Sequence, residues 1–476
     1  MKKFFVLFVL LVAVLLAIPG YVGYQAQARY QVLVDRLEMS GFRVSKHVYQ
    51  RGWFGATAES DFVLPIPAPG PNGENKIQEF GFTINSDVVH GPLMPAGGIG
   101  LAEINTRILV DGKNVFPDDY PAKIQTRVAW NGAGETLVDL PATVIPAQQK
   151  RPQIDFGGMN GQMVFDAGFS KLDTTLEMPG LEISEGEAKR LVVQGVRADS
   201  KSWLDDSGLM LGSGMFEVDL FEVDLFELVM IDTLTSVIVE KIGADVDSSK
   251  QGENVSGTIT YRLESADVNG EHYGPAVLEL SMANLPAEVL VGIQQGMEEI
   301  QRQQLPQNQQ AFAAMTLLMS NGPKLIQSDP RLSIDRLSVK TPRGDIQGRF
   351  SIQPVGLQWQ EISNVQAVVE KLEAEAELSM PEPFFRFMFV QQVRNQIAQQ
   401  LEMRRQMGEE VELPEPHQLD AMADSAAEQQ LQRLISQEVL VRDGGLLSTR
   451  ASLSSGLLTV NGKSVPLPVP GAAQAQ

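Results

Sequence analysis

Leu372 to Met380 reads L-E-A-E-A-E-L-S-M. Leu372, Ala374, Ala376, Leu378 and Met380 fall on one side of a period-two repeat, and Glu373, Glu375 and Glu377 fall on the other. Side chains alternate across a strand, so this stretch predicts a β-strand with one apolar and one acidic face. A sheet with one apolar face must cover it against another layer. Candidate covers flank the strand. Residues 286–327 and 383–438 carry helical periodicity, broken at Pro306 and at LPEPHQ. The first holds Ala311, Phe312, Met315, Leu318 and Met319, the second Phe384, Phe385, Phe387, Met388 and Phe389.

Outward from there the text stays strand-like. Thr258–Val268 (TITYRLESADV) alternates, is followed by Asn269-Gly270, and leads to the apolar run AVLEL, which is a hairpin signature. Arg331–Gln353 reads as two strands around Pro342-Arg343-Gly344, and the chain closes on a hairpin with turns at Ser454-Ser455-Gly456 and Asn461-Gly462. Residues 41 to about 280 are short alternating runs separated by glycine, proline and asparagine. The expected fold class is α+β: a large, mostly antiparallel, curved β-sheet domain over 41–469, with helices around 286–327 and 383–438 and a frayed tail at 470–476.

The N-terminus carries a different signal. Phe4 to Ile18 is unbroken apolar sequence, and its extension to Tyr24 makes about 31 Å of helix, close to the thickness of a bilayer core. Lys2 and Lys3 precede it, which keeps the N-terminus in the cytoplasm, and Tyr21 and Tyr24 suit the far interface. We read 1–24 as a retained transmembrane signal-anchor and 25–40 as a juxtamembrane helix, with Tyr30, Leu33, Val34 and Leu37 on one face. The rival is a signal peptide cleaved after Ala26-Gln27-Ala28, although the apolar run ends well before that site. In either case the main domain lies outside the cytoplasm.

Composition narrows the chemistry. Thirty-eight basic residues against fifty-nine acidic ones give a net charge of −21, so nucleic acid is not an expected partner. The absence of cysteine removes disulfides, thiolate zinc sites, iron–sulfur clusters and cysteine nucleophiles. The four histidines, His47, His90, His272 and His417, form no local ligand pair, and no G-x-S-x-G elbow occurs. Gly456–Ser464 (GLLTVNGKS) has one residue too many for a phosphate loop and reads as a turn. The tandem FEVDLFEVDL at 216–225 offers Glu217, Asp219, Glu222 and Asp224 as calcium ligands, but lacks the ligand order and turning glycines of a calcium loop. No catalytic residue, cofactor or metal is expected.

Two strings stand out: His47-Val48-Tyr49-Gln50-Arg51-Gly52-Trp53-Phe54 and Val89-His90-Gly91-Pro92. Both read as fixed turns or sheet corners, with a histidine–arginine site as the functional alternative. With these strings the chain resembles the YdgA-like family of bacterial envelope proteins. The resemblance rests on Tyr49, Arg51, Gly52 and Phe54, on His90, Gly91 and Pro92, on TITYRLESADVNG and SIDRLSVKTPRG, and on Gly456, Thr459, Asn461, Gly462, Lys463 and Leu467 at the close. It implies a single-pass protein of the bacterial inner membrane with a large periplasmic domain, and it carries over no catalytic residue. The expected function is non-enzymatic. The partners would be inner-membrane lipid and envelope proteins or lipids, bound on an apolar surface. A periplasmic hydrolase using carboxylates or histidine, and a protein-interaction scaffold, are the alternatives.

Overall fold

The computed structural model describes residues 43–69, 75–95, 97–110, 113–114, 120–147, 152–186, 188–224, 236–303, 307–393 and 416–466, together with 26–27, 30–31 and 34. The expected membrane segment, Phe4–Tyr24, lies outside the described residues. Among the described residues no helix is long and apolar enough to cross a membrane. The chain divides into two compact units, Met1–Glu217 and Val218–Gln476, and the division falls within the strand Met210–Asp224. Most of FEVDLFEVDL is therefore strand, and Arg197 pairs with Glu217 on it.

In the first unit, Arg43–Arg51, Gly55–Pro69, Asn75–His90, Ala102–Val110, Lys123–Val128, Gly134–Leu140, Met159–Phe165, Lys171–Glu185 and Ala188–Leu204 pair in succession, each antiparallel to the last. The helical residues Ala26, Tyr30 and Val34, spaced by four, make one stripe and are buried against this sheet. They pack on Ala56, Ala58, Phe62, Val88, Leu101, Ala102, Ile104 and Val128. Tyr30 and Val34, two of the four residues expected to share a face, thus belong to the core of this unit.

In the second unit, Ser236–Gln251, Asn254–Val268, Ala276–Pro286, Arg331–Thr341, Gly344–Pro354, Leu372–Pro381, Leu446–Ser454 and Leu457–Val460 form an antiparallel series. The turns Asn269-Gly270, Ser455-Gly456 and Asn461-Gly462 all have positive φ at both residues, the conformation that matches the twist of a two-residue hairpin. The near-miss phosphate loop is therefore the last of these hairpins. The expected helix over 286–327 is two helices, Ala287–Arg302 and Gln307–Gln327, packed through Gly296 and Leu317. The expected helical region 383–438 contains helix at 382–393 and at Pro416–Ser436.

Register turns the alternating strands into rows. Val246, Ile259, Leu280, Ile334, Phe350, Ala376, Ala451 and Val460 lie side by side across eight strands. Met282, Leu332, Ile352, Ala374, Leu453, Leu458 and Val465 form the neighbouring row. Directly opposed residues share a face, so one face of the sheet is apolar over a width of about 34 Å at ~4.8 Å per strand. At one end, Met380 and Leu447 are covered by Phe385, Leu431, Leu434 and Ile435. Farther along, the cover is incomplete. Val246, Tyr261, Met282 and Leu332 remain 44–49% exposed. The Gln307–Gln327 helix does not seal the face with the residues expected to do so, since Phe312, Met315, Leu318 and Met319 are 55–74% exposed.

Candidate functional site

The two strings singled out in the sequence meet. The strand Arg43–Arg51 ends in a turn in which Gly52 N–H donates to Gly55 O at 2.8 Å. The next carbonyls are taken up by the second string: His90 N–H donates to Phe54 O at 2.9 Å, and His90 Nδ1 lies 3.3 Å from Trp53 O. Gly91 N–H then donates to Leu101 O at 2.8 Å, and the Gly91–Pro92 peptide is cis. A Cβ on Gly91 would stand 1.8 Å from Gly100 O, so no other residue fits that backbone approach. Gly52 is less tight, with Gly55 O at 3.0 Å from a built Cβ. Arg51, Trp53 and Phe54 are exposed, whereas His90 is buried.

Behind this corner lies a polar cluster sealed by the helical stripe. The Tyr30 ring stacks on His47 with centroids 5.8 Å apart and tilts against Tyr49 at 5.6 Å. Tyr30 Oη donates to Ser86 Oγ at 3.0 Å, Ser86 Oγ lies 3.2 Å from Thr106 Oγ1, and His47 Nδ1 lies 2.8 Å from Ser60 Oγ. Tyr49 Oη and His90 Nε2 are buried and have no hydrogen-bond partner among the described residues. Burial pushes the Tyr49 phenol up to about 12, with the neighbouring Tyr30 adding to the shift. Burial also lowers the His90 imidazole below its usual range, against the Trp53 carbonyl, which favours the charged form. On the other side of Tyr30 a small void of about 10 Å³ is lined by Ala26, Leu101, Ala102, Ile104 and Val128.

Asn461 and Gly462 stand elsewhere, in the second unit. Asn461 adopts φ 48°, accepts from Arg450 N–H at 2.9 Å and donates to Glu438 O at 2.7 Å, closing the final hairpin onto the chain after the helix Pro416–Ser436. Both residues rim an open cleft of about 890 Å³ on the polar face of the sheet. Two rows, one predicted by no motif, line it. In the first, Glu377 lies between Arg349 and Arg450 on the neighbouring strands. Arg349 Nε is 2.8 Å from Glu377 Oε2, and Arg450 Nε pairs with Oε1. The Arg349 hydrogen bond, with Arg450 in support, holds the Glu377 carboxyl below the usual range. Glu377 is thus a fixed anion that orients two guanidiniums and not a proton donor. In the second row Ser338, Gln347, Ser379 and Ser448 stand side by side. Arg336 and Asp335 complete the charged lining.

Sequence reading found Glu377 as one tooth of an acidic face but missed its partners, since Arg349 and Arg450 belong to distant hairpins. Among the described residues no three histidine or acidic side chains converge as metal ligands.

Residues 1–468 match the family model described as bacterial protein of unknown function (DUF945). The chain belongs to that family. The match agrees with the YdgA-like resemblance and spans both units. No curated protein and no solved structure matches the chain.

Proposed function

We propose that this family member is a membrane-anchored envelope protein of the bacterial periplasm that acts by binding, holding an acyl chain on the apolar face of its second unit. The observation that carries this reading is the pair of apolar rows running across the sheet, with Val246, Met282 and Leu332 in them and Tyr261 beside them left half-exposed. Soluble proteins seldom leave a contiguous surface of this kind without a partner. A hydrocarbon chain suits it, because each methylene buried contributes about 0.8 kcal/mol and needs no polar recognition. The Gln307–Gln327 helix presents Phe312, Met315 and Met319 outward, and methionine-rich surfaces adapt to ligands of variable shape. The N-terminal apolar run, with Lys2 and Lys3 before it, would keep such a surface beside the bilayer.

The test is extraction of the detergent-purified protein followed by mass spectrometry, with a fluorescent fatty acid titrated into delipidated protein. Met282→Glu and Leu332→Glu should each weaken fatty-acid binding at least tenfold. Protein that carries no lipid and binds no fatty acid removes this reading and leaves the scaffold. A specific turnover traced by alanine substitution to a named residue, with stability unchanged, would replace binding by catalysis.

A further inference from the structure

The polar cleft lies on the opposite face of the sheet from the apolar rows and has its own chemistry. Its lining carries Arg336, Arg349 and Arg450 against Asp335 and Glu377, a locally cationic surface on a chain of net charge −21. A guanidinium has five N–H donors, and contact with one carboxylate oxygen takes up one or two of them. Arg349 and Arg450 therefore remain able to donate while the shared carboxylate fixes their positions. Two guanidiniums held two strands apart, about 10 Å between backbones, form a fork suited to the oxygens of a phosphate ester, which arginine binds in a bidentate manner. The row Ser338–Gln347–Ser379–Ser448 is displaced from the arginine row by two residues, about 7 Å along the strands. Hydroxyls and an amide at that offset match the hydroxyl groups of a sugar whose phosphate sits on the arginines. The cleft is far larger than a lone phosphate.

We propose that this cleft binds a phosphorylated sugar, with Arg349, Arg450 and Arg336 on the phosphate and Ser338, Gln347, Ser379 and Ser448 on the hydroxyls. The two rows supply different parts of the recognition, so neither phosphate nor sugar alone reproduces it.

Calorimetric titration of the full-length protein with glucose 1-phosphate tests the assignment, beside glucose, inorganic phosphate and anionic phospholipid vesicles. We expect glucose 1-phosphate to bind at least tenfold more tightly than glucose or phosphate, and more weakly as salt is raised. Arg450→Gln should lower its affinity at least tenfold. That variant also breaks an ion pair, so Arg336→Gln and Ser448→Ala, which leave both Glu377 pairs intact, should each lower affinity at least threefold with an unchanged thermal midpoint. Absence of binding at millimolar glucose 1-phosphate overturns the proposal. So does binding that all three variants retain. Equal binding of inorganic phosphate removes the sugar from the assignment, and binding of vesicles alone moves the phosphate to a lipid headgroup.

Discussion

Tyr30 Oη donates a 3.0 Å hydrogen bond to Ser86 Oγ, fifty-six residues along the chain, and so ties the N-terminal helical stripe to the inner face of the first sheet. The ring does more than the hydroxyl, because it also packs on His47 and Tyr49. Tyr30→Phe should cost about 1 kcal/mol, since Ser86 keeps Thr106 as a partner. Tyr30→Ala should cost ~3–5 kcal/mol, as for other large aromatic deletions in a core. Urea unfolding of the two variants checks the ratio, and equal losses would show that the ring packing contributes little.

Gly91 and Gly52 sit at the same corner but differ in room. Gly91→Ala drives a Cβ into the Gly100 carbonyl at 1.8 Å, whereas Gly52→Ala meets Gly55 O at 3.0 Å. The first should lower soluble yield sharply and cost about 3 kcal/mol or more. The second should yield folded protein with a smaller loss. Thermal melts and yields of the pair rank them, and a Gly91→Ala protein as stable as wild type would contradict the backbone approach described.

His90 is lowered by burial, so the unfolded chain binds its proton at a higher pH than the folded one. Between the folded and unfolded pKa values the unfolded state holds more protons, and stability therefore falls as pH drops below the ordinary imidazole value of 6.5. His90→Asn replaces the Nδ1–H donor and cannot titrate. Its unfolding free energy should vary less between pH 7 and pH 5 than that of wild type, and parallel curves would assign the acid sensitivity to other groups.

Tyr49 gives the opposite sign at alkaline pH. Its folded pKa is about 12 against an ordinary 10, so the folded state keeps a proton that the unfolded state loses, and stability declines as pH rises from 10 towards 12. Absorbance titration at the tyrosinate band should show a late-ionising component, to which Tyr30, Tyr120 and Tyr273 also contribute, that loses one phenol in Tyr49→Phe.

Ala26 lies in the core of the first unit. Cleavage after Ala28 would remove it together with the start of the stripe. N-terminal sequencing of the membrane fraction should find residues upstream of Ala26, and a mature chain starting at Arg29 would show that the apolar run is a leader.

Period alone determined much of this molecule. LEAEAELSM is a strand because its apolar residues recur every second position, and Leu372–Pro381 is one. Asn269-Gly270 and Asn461-Gly462 are hairpin turns because asparagine and glycine tolerate positive φ, and both pairs adopt it. The helices at Ala287–Arg302, Gln307–Gln327 and Pro416–Ser436 were legible from the same kind of local spacing. Local spacing has no access to register. Glu377 meets Arg349 and Arg450 only because Gly344–Pro354 and Leu446–Ser454 pair on either side of Leu372–Pro381 with one particular alignment, and a slip of Leu372–Pro381 by one residue would turn Glu377 to the opposite face from both arginines. The meeting of Trp53 and Phe54 with His90, and the docking of Tyr30 on His47, likewise join segments that are far apart in the chain. The side-chain alternation is a property of each strand and was written in its sequence. Which strand lies beside which, and therefore which charges share a cleft and which apolar face stays uncovered, was settled only by tertiary pairing, where burial of the whole sheet selects one register among many.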